Sequence, residues 1–282
     1  MGMTTDKDDR HFDAKREHEL LLYLVDHLVD ERVRLQGDSD LERPRESAEN
    51  DELWTLFRAL VNVRPPRKTD DRFLRAQDEL LGGLIARSGI STPDDATPAP
   101  ADPQMRLWRG DITTFAADAI VNAANSQMLG CWIPGHHCID NAIHTFAGVQ
   151  LRARCAELMA AQGHEEPTGR ARLTEAYNLP CRHVIHTVGP IADGRPSRTD
   201  RKMLASCYAS CLDAAREAGD TSIAFCCIST GVFGFPQADA ARIAVGTTRH
   251  WLDEHDDARM TVVFDVFGET DELLYEELLG IG

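Results

Sequence analysis

No apolar run in this chain approaches the roughly 18 residues that a membrane-spanning helix needs, so no membrane partner is expected. The opening stretch, MGMTTDKDDRHFDAK, lacks the apolar core of a secretory signal. Gly2 starts no myristoylation signal, because Asp6 stands where a serine or threonine is required. These absences predict a cytoplasmic protein. Positive charge is in deficit: 30 Lys and Arg against 46 Asp and Glu leave a formal net charge of -16. That argues against a nucleic-acid partner held by its backbone, though it leaves room for a local grip on phosphate through main-chain amides. There is no internal repeat, no GxGxxG, and no lysine of the Walker type after a glycine-rich turn.

At 282 residues the chain can form one large domain or two smaller ones. Residues 91–104, rich in proline and small or polar side chains, read as a linker. Before them, residues 1–90 carry apolar stripes at helical spacing. One contains Leu20, Leu21, Tyr23, Leu24, Leu28 and Val29, a second Leu53, Trp54, Phe57, Leu60 and Val61, and a third Phe73, Leu74, Leu80, Leu81 and Leu84. Arg64-Pro65-Pro66 ends the second stripe, since proline disfavours helix at the residue before it. This part reads as a small helical layer whose stripes are packing surface.

Residues 105–282 alternate instead. Short β-rich runs fall at 105–108, 119–122, 183–188, 223–228 and 261–267, with helical patterns at 139–161, 202–218 and 237–255. That alternation predicts a layered α/β domain on a mainly parallel sheet. Ligands on such sheets sit beyond the strand ends, and the distinctive residues fall there.

Asp111, in Gly110-Asp111-Ile112-Thr113, is placed to accept from an adenine amino group or to cap a turn. Asn122 and Asn125, flanking two alanines, suit sugar hydroxyls because an amide both donates and accepts. Ser229-Thr230-Gly231-Val232-Phe233-Gly234-Phe235-Pro236 follows a strand and precedes a helix, where turned amides and the helix N-terminus favour an anion. Phe233 or Phe235 can cover a sugar or base, or belong to the core.

Eight cysteines in a reducing compartment read as thiols or metal ligands rather than disulfides. Cys131-Trp132-Ile133-Pro134-Gly135-His136-His137-Cys138 gathers two thiols and two imidazoles around a Pro-Gly bend. Cys131, His136 and Cys138 fit zinc, with His137 an alternative to His136 and ordinary buried thiols the bland reading. No second CxxC or HxxxH lies nearby to close the site. Three ligands with an open fourth position are the pattern of a catalytic zinc. Asp140 follows directly, and serves either as an acid or base or as a helix cap. His144, at i+4 from Asp140, shares its helix face. His186 lies on a strand and takes no assigned role. The remaining cysteines, from Cys155 to Cys227, read as packing residues. The base-reading aspartate, sugar-reading asparagines, diphosphate loop and metal together describe a pocket for an ADP-ribose-like ligand.

With these residues in place, the chain resembles a macrodomain: GDIT, VNAANS, CIDNAIH, IHTVGP and STGVFGFP occur in that family's order. GCWIPGHHCIDNAIHTFAG resembles the zinc-dependent microbial subgroup, and LWTLFRALVNVRPP and QDELL resemble that subgroup's helical extension. The resemblance covers most of the chain. It implies a three-layer α/β/α sandwich with a mixed, mainly parallel sheet, and one zinc ion per chain. It further implies a hydrolase that removes mono-ADP-ribose, Asp/Glu-linked, from a modified protein and releases ADP-ribose. By position, it implies adenine at Asp111 with Ile112 beside it, and the distal ribose at Asn125 with Asn122 near. It places the diphosphate along Ser229 to Phe235, zinc at Cys131, His136 and Cys138, and catalysis at Asp140 with Asn125. Metal-free relatives carry a glycine-rich run where this chain has its metal segment, so their mechanism does not transfer unaltered. The competing readings are a non-catalytic ADP-ribose reader with a structural zinc and a metabolite phosphatase. The phosphatase is disfavoured because the phosphate loop lacks a nucleophile.

Overall fold

The computed structural model describes residues 12–37, 43–256 and 258–282. The readings made on Gly2, Asp6 and the signal core lie outside the described residues. Three helices come first: α1 (Ala14–Gln36), α2 (Asn50–Val63) and α3 (Asp71–Ser88). Asp13 and Asp70 accept at 2.8 Å from the N–H groups of Arg16 and Phe73. They thereby satisfy amides that a helix start leaves without carbonyl partners. α2 stops at Val63, and Arg64 turns out of helical geometry at ψ 123 before Pro65. The three stripes meet as expected, burying Leu21, Leu24, Leu53, Phe57, Phe73 and Leu80 in one core.

Beyond residue 91 the strands are β1 (Thr97–Pro98), β2 (Met105–Arg109), β3 (Ala119–Ala124), β4 (Ala171–Glu175), β5 (His183–Val188), β6 (Ser222–Phe225) and β7 (Thr261–Val266). They form one sheet in the order β1-β2-β7-β6-β3-β5-β4. The five central strands run parallel, and β1 and β4 are antiparallel edges. The helices are α4 (Ile139–Ala147), α5 (Val149–Gln162), α6 (Arg198–Ala218), α7 (Gln237–Glu254) and α8 (Glu269–Leu279). α4 packs on β3 and α5 on β4; α6, α7 and α8 pack on one another, α6 touching β5 and β6 and α8 touching β2 and β7. The expected mixed, mainly parallel sheet between helical layers is therefore present. The β5 run HVIHTV is buried at every position but its first, as a strand covered on both faces must be.

Several details differ from the pattern reading. The helix expected over 139–161 is two helices, broken at Gly148. Its φ of 97 suits glycine, and a Cβ there would stand 2.5 Å from the Gln77 amide. The strand expected to reach Ile228 stops at Phe225. Residues read as linker carry β1, whose Pro98 lies at the sheet edge where a missing N–H is tolerated.

Candidate active site

The parallel strands present their carboxyl ends in the order β2, β7, β6, β3, β5. The segments that follow therefore line up along one edge as Gly110-Asp111, Phe267, the loop from Ser229, Asn125 and Gly189. With neighbouring strands about 4.8 Å apart, the row from β2 to β3 spans roughly 14 Å.

At the β2 end, Asp111 is exposed, and its Oδ1 accepts from the Thr113 N–H at 2.9 Å and hydroxyl at 2.7 Å. It caps the turn and stays open to solvent, so the two readings of Asp111 coexist. Ile112 is buried, so only its main chain can reach a ligand. Pattern reading missed Phe267, which is 82% exposed where β7 ends, beside the Gly110 N–H that bonds Val266. A large ring that exposed at a strand end is a signal visible only once β7 has been placed next to β2.

Next to Asp111 lies Asp265, on β7. Its Oδ1 is buried without a hydrogen-bond partner. Burial first, and nearby Asp111 second, push its carboxyl well above the usual carboxylate range. The folded protein thus holds its proton to higher pH than the unfolded chain does. Stability from this group is fully present below the unfolded value, about 3.9, and is lost as pH rises toward the raised folded value. Asp265→Asn is therefore expected to raise Tm near pH 8 and to leave it nearly unchanged near pH 4. Thermal melts at the two pH values check this, and a lower Tm at pH 8 would contradict it.

The loop after β6 is a compact turn. Ser229 is buried with φ 66. The Phe235 N–H bonds the Ser229 carbonyl at 2.9 Å, and the Gly234 N–H bonds that of Gly231 at 3.0 Å. A second loop, 189–194, is tied to it through the Phe233 carbonyl, which accepts from Ala192 at 2.8 Å. A Cβ at Gly189 would overlap the Ser229 hydroxyl, so glycine is required for the two loops to touch. Val232 is exposed and Phe233 half-buried. Phe235 lies in the core, the second of the two readings open for it, and of the pair Phe233 has a face to offer.

At the end of β3 the polar groups converge. Asp140 is in the first turn of α4, but Cys138 occupies the cap position, so Asp140 is not the helix cap. Its Oδ1 accepts from Asn122 Nδ2 at 2.8 Å and its Oδ2 from Asn125 Nδ2 at 3.4 Å. Asn122, expected beside a sugar, is wholly buried and also bonds His186 Nδ1 at 3.1 Å; it supports Asp140 from below. Asn125 is half-buried, and its Oδ1 accepts from the Gln127 N–H at 3.0 Å. Burial pushes the Asp140 carboxyl up to about 6 against the pull of the Asn122 amide and Arg152. His144 Nε2 stands 3.6 Å from Asp140 Oδ1, and burial keeps the imidazole neutral, well below its usual range.

Beside this carboxylate, Cys131, His136 and Cys138 bring one ligand atom each to within 4.8 Å of one another. Cys131 Sγ and His136 Nδ1 are 3.4 Å apart. His137 is exposed and outside the cluster, so the geometry groups His136 with the two thiols. Burial raises the Cys138 thiol, and a bound cation would reverse that by favouring thiolate. Two thiols and an imidazole at this separation fit zinc in a three-ligand, open arrangement. A second close group among the described residues, His144, Cys155 and His186, is a buried network instead: both His186 nitrogens are engaged, Nδ1 by Asn122 and Nε2 by Thr174 at 3.0 Å.

Residues 121–244 match the family described as Macro domain. The chain is 50% identical over 265 residues to "Protein-ADP-ribose hydrolase" of Treponema medium, covering 93% of this chain and 99% of that protein. It is 46% identical over 254 residues to a protein of the same name from Staphylococcus aureus (strain MRSA252), covering 90% and 94%. Among solved structures, the Trypanosoma brucei macrodomain in complex with ADP-ribose superposes with a TM-score of 0.61 at 35% identity, over 79% of this chain and 95% of that one. The Oceanobacillus iheyensis macrodomain with ADP gives 0.56 at 38% identity, over 62% and 90%.

Proposed function

This chain belongs to the macro domain family, and on that premise we propose that it is a zinc-dependent hydrolase acting on mono-ADP-ribosylated proteins. It cleaves Asp/Glu-linked ADP-ribose from the modified side chain and releases ADP-ribose in the cytoplasm. The observation that carries this reading is the juxtaposition at the end of β3. A buried carboxylate, Asp140, is held by two asparagine amides two residues from a convergent Cys131–His136–Cys138 set. A reader needs a pocket, but it has no use for a buried carboxylate beside an open metal position.

The row of loops supports one pose. Adenine lies at the β2 end, its amino group donating to Asp111 and its face under Phe267. The diphosphate follows against the main-chain amides of Thr230 to Gly234, and the distal ribose reaches Asn125. Cys131, His136 and Cys138 would hold the zinc, which would supply Lewis acidity toward a ribose hydroxyl or water. Asp140 accepts a proton from the attacking water while the water oxygen bonds to the anomeric carbon. The bond from that carbon to the acceptor oxygen breaks, and its electron pair leaves with the side-chain carboxylate. A base near pKa 6 suits this task at neutral pH, being ionised yet still able to hold the proton.

Two measurements test the reading. Incubated with a mono-ADP-ribosylated protein, the purified chain is expected to release free ADP-ribose detectable by mass spectrometry. Binding without release would select the reader. Asp111→Ala is expected to weaken ADP-ribose binding by roughly tenfold, the worth of one charged hydrogen bond; unchanged affinity in calorimetry would count against the adenine position.

A further inference from the structure

The end of α2 is built onto the metal segment. Asn62, 1% exposed, accepts at its Oδ1 from the Gly135 N–H at 3.0 Å and donates from Nδ2 to Thr145 Oγ1 at 3.3 Å. Arg58 donates to Asn141 Oδ1 at 3.1 Å, and Asn141 Nδ2 donates to the Ile133 carbonyl at 3.3 Å. The Arg152 guanidinium, buried, bonds the carbonyls of Val61, Asn62 and Arg64 at 3.2, 2.7 and 2.9 Å. Val61 and Asn62 are in the last turn of α2, where carbonyls lack the next turn's amides, and Arg64 is its cap; the Val61 carbonyl also accepts from the Arg64 N–H at 3.3 Å. The same guanidinium reaches the Cys131 carbonyl at 3.4 Å and lies 4.2 Å from the centre of the Trp132 ring.

Residues 131–136 have no helix or strand of their own. Their internal support is the bond from the His136 N–H to the Ile133 carbonyl, at 3.2 Å. Among the described residues, each hydrogen bond that joins them to the rest of the chain involves an α2 side chain or a body residue that α2 itself engages. The anchors fall at Cys131, Ile133 and Gly135, on or next to two of the three ligands. α2 thus reaches the segment directly through Asn62 and at two further points through Asn141 and Arg152, which a contact that merely covered the body would not do. Gln77 shows what such a covering contact looks like: it joins α3 to the Val149 N–H at 2.9 Å and to Gln150 at 2.8 Å, away from the segment.

We propose that the N-terminal helical layer is part of the metal site, with Asn62 as a positioning residue that holds residues 131–136 in their ligating shape together with Arg152. Docking of the layer and occupancy of the site are then linked, each strengthening the other by the same factor. The inference rests on Cys131, His136 and Cys138 being the ligands. It assigns the helical extension a task beyond bracing.

The test is zinc affinity of the full chain, measured by competition with a chromophoric chelator, alongside thermal stability. Asn62→Ala is expected to weaken zinc binding by about tenfold or more, the scale on which outer contacts tune metal ligands. Gln77→Ala, at the same interface, is expected to lower Tm yet keep zinc affinity within about twofold. Asn62→Asp, which keeps the acceptor for Gly135, is expected to recover most of the affinity. In the wild type, zinc should slow hydrogen exchange at the α2 amides. Unchanged zinc affinity in Asn62→Ala, or equal losses in Asn62→Ala and Gln77→Ala, would overturn the proposal. Should Asn62→Ala not fold, Arg58→Ala, at a half-buried position, removes the bond that holds Asn141, whose amide anchors Ile133; a several-fold loss supports the proposal and no loss overturns it. A wild type that binds no zinc at all would instead sink the ligand assignment itself, and this inference with it.

Discussion

Asp140→Asn is expected to lower hydrolysis by about 100- to 1000-fold, the usual worth of a positioned general base, while ADP-ribose binding and zinc content stay near wild type. The substitution is nearly isosteric. Its carbonyl can still accept from Asn122, and Asn125 keeps its second partner, the Gly130 carbonyl at 3.1 Å. Lost is the ability to take a proton. Because burial already holds this carboxyl up to about 6, removing the charge should not lower thermal stability. Single-turnover release of ADP-ribose, read together with calorimetry, separates chemistry from binding. Wild-type turnover in this variant would remove Asp140 from the mechanism, and a matching loss of binding would make it a pocket residue rather than a base.

Cys138→Ala is expected to abolish both zinc content and hydrolysis, the latter by at least about 100-fold, since one of three ligands is removed from a site that has no spare donor. Cys131→Ala should behave alike. His136→Ala should follow them and His137→Ala should not, because His136 joins the cluster and His137 faces solvent. Metal analysis and activity on the same preparations decide the matter. A metal-free variant with full activity would refute a catalytic zinc, and a His137→Ala variant that alone loses metal would reassign the ligand.

Much of this site was legible because its pieces are local in the chain. The two thiols, the imidazole and Asp140 lie within ten residues, 131–140, so spacing alone raised the metal. The loops at strand ends were legible because buried parallel strands write themselves as short apolar runs. What spacing hides is contact across the chain. The Asn122–Asp140 bond spans 18 positions and makes Asn122 a support beneath the carboxylate rather than a sugar reader. The Asn62–Gly135 bond spans 73, so nothing in either segment announces that α2 ends on the metal loop. The missed strands fail for a different reason. β4, ARLTE, is an edge with one buried position, and β1 is two exposed residues containing a proline; neither carries the apolar run by which the central strands are recognised. α8 was missed because its charged sequence, ETDELLYEELL, buries only Tyr275 and Leu279. Phe235 shows the limit of motif reading: the motif left open whether Phe233 or Phe235 packs in the core, and only burial separates them.

The central claim is that this chain removes ADP-ribose from protein by a reaction that needs the Cys131–His136–Cys138 metal. The most direct measurement follows free ADP-ribose by mass spectrometry from a mono-ADP-ribosylated protein, using enzyme as purified, enzyme stripped by a chelator, and stripped enzyme given zinc back. The account predicts release that disappears on stripping and returns with zinc, with ADP-ribose binding measured in parallel. Release at the same rate from fully stripped enzyme would contradict it.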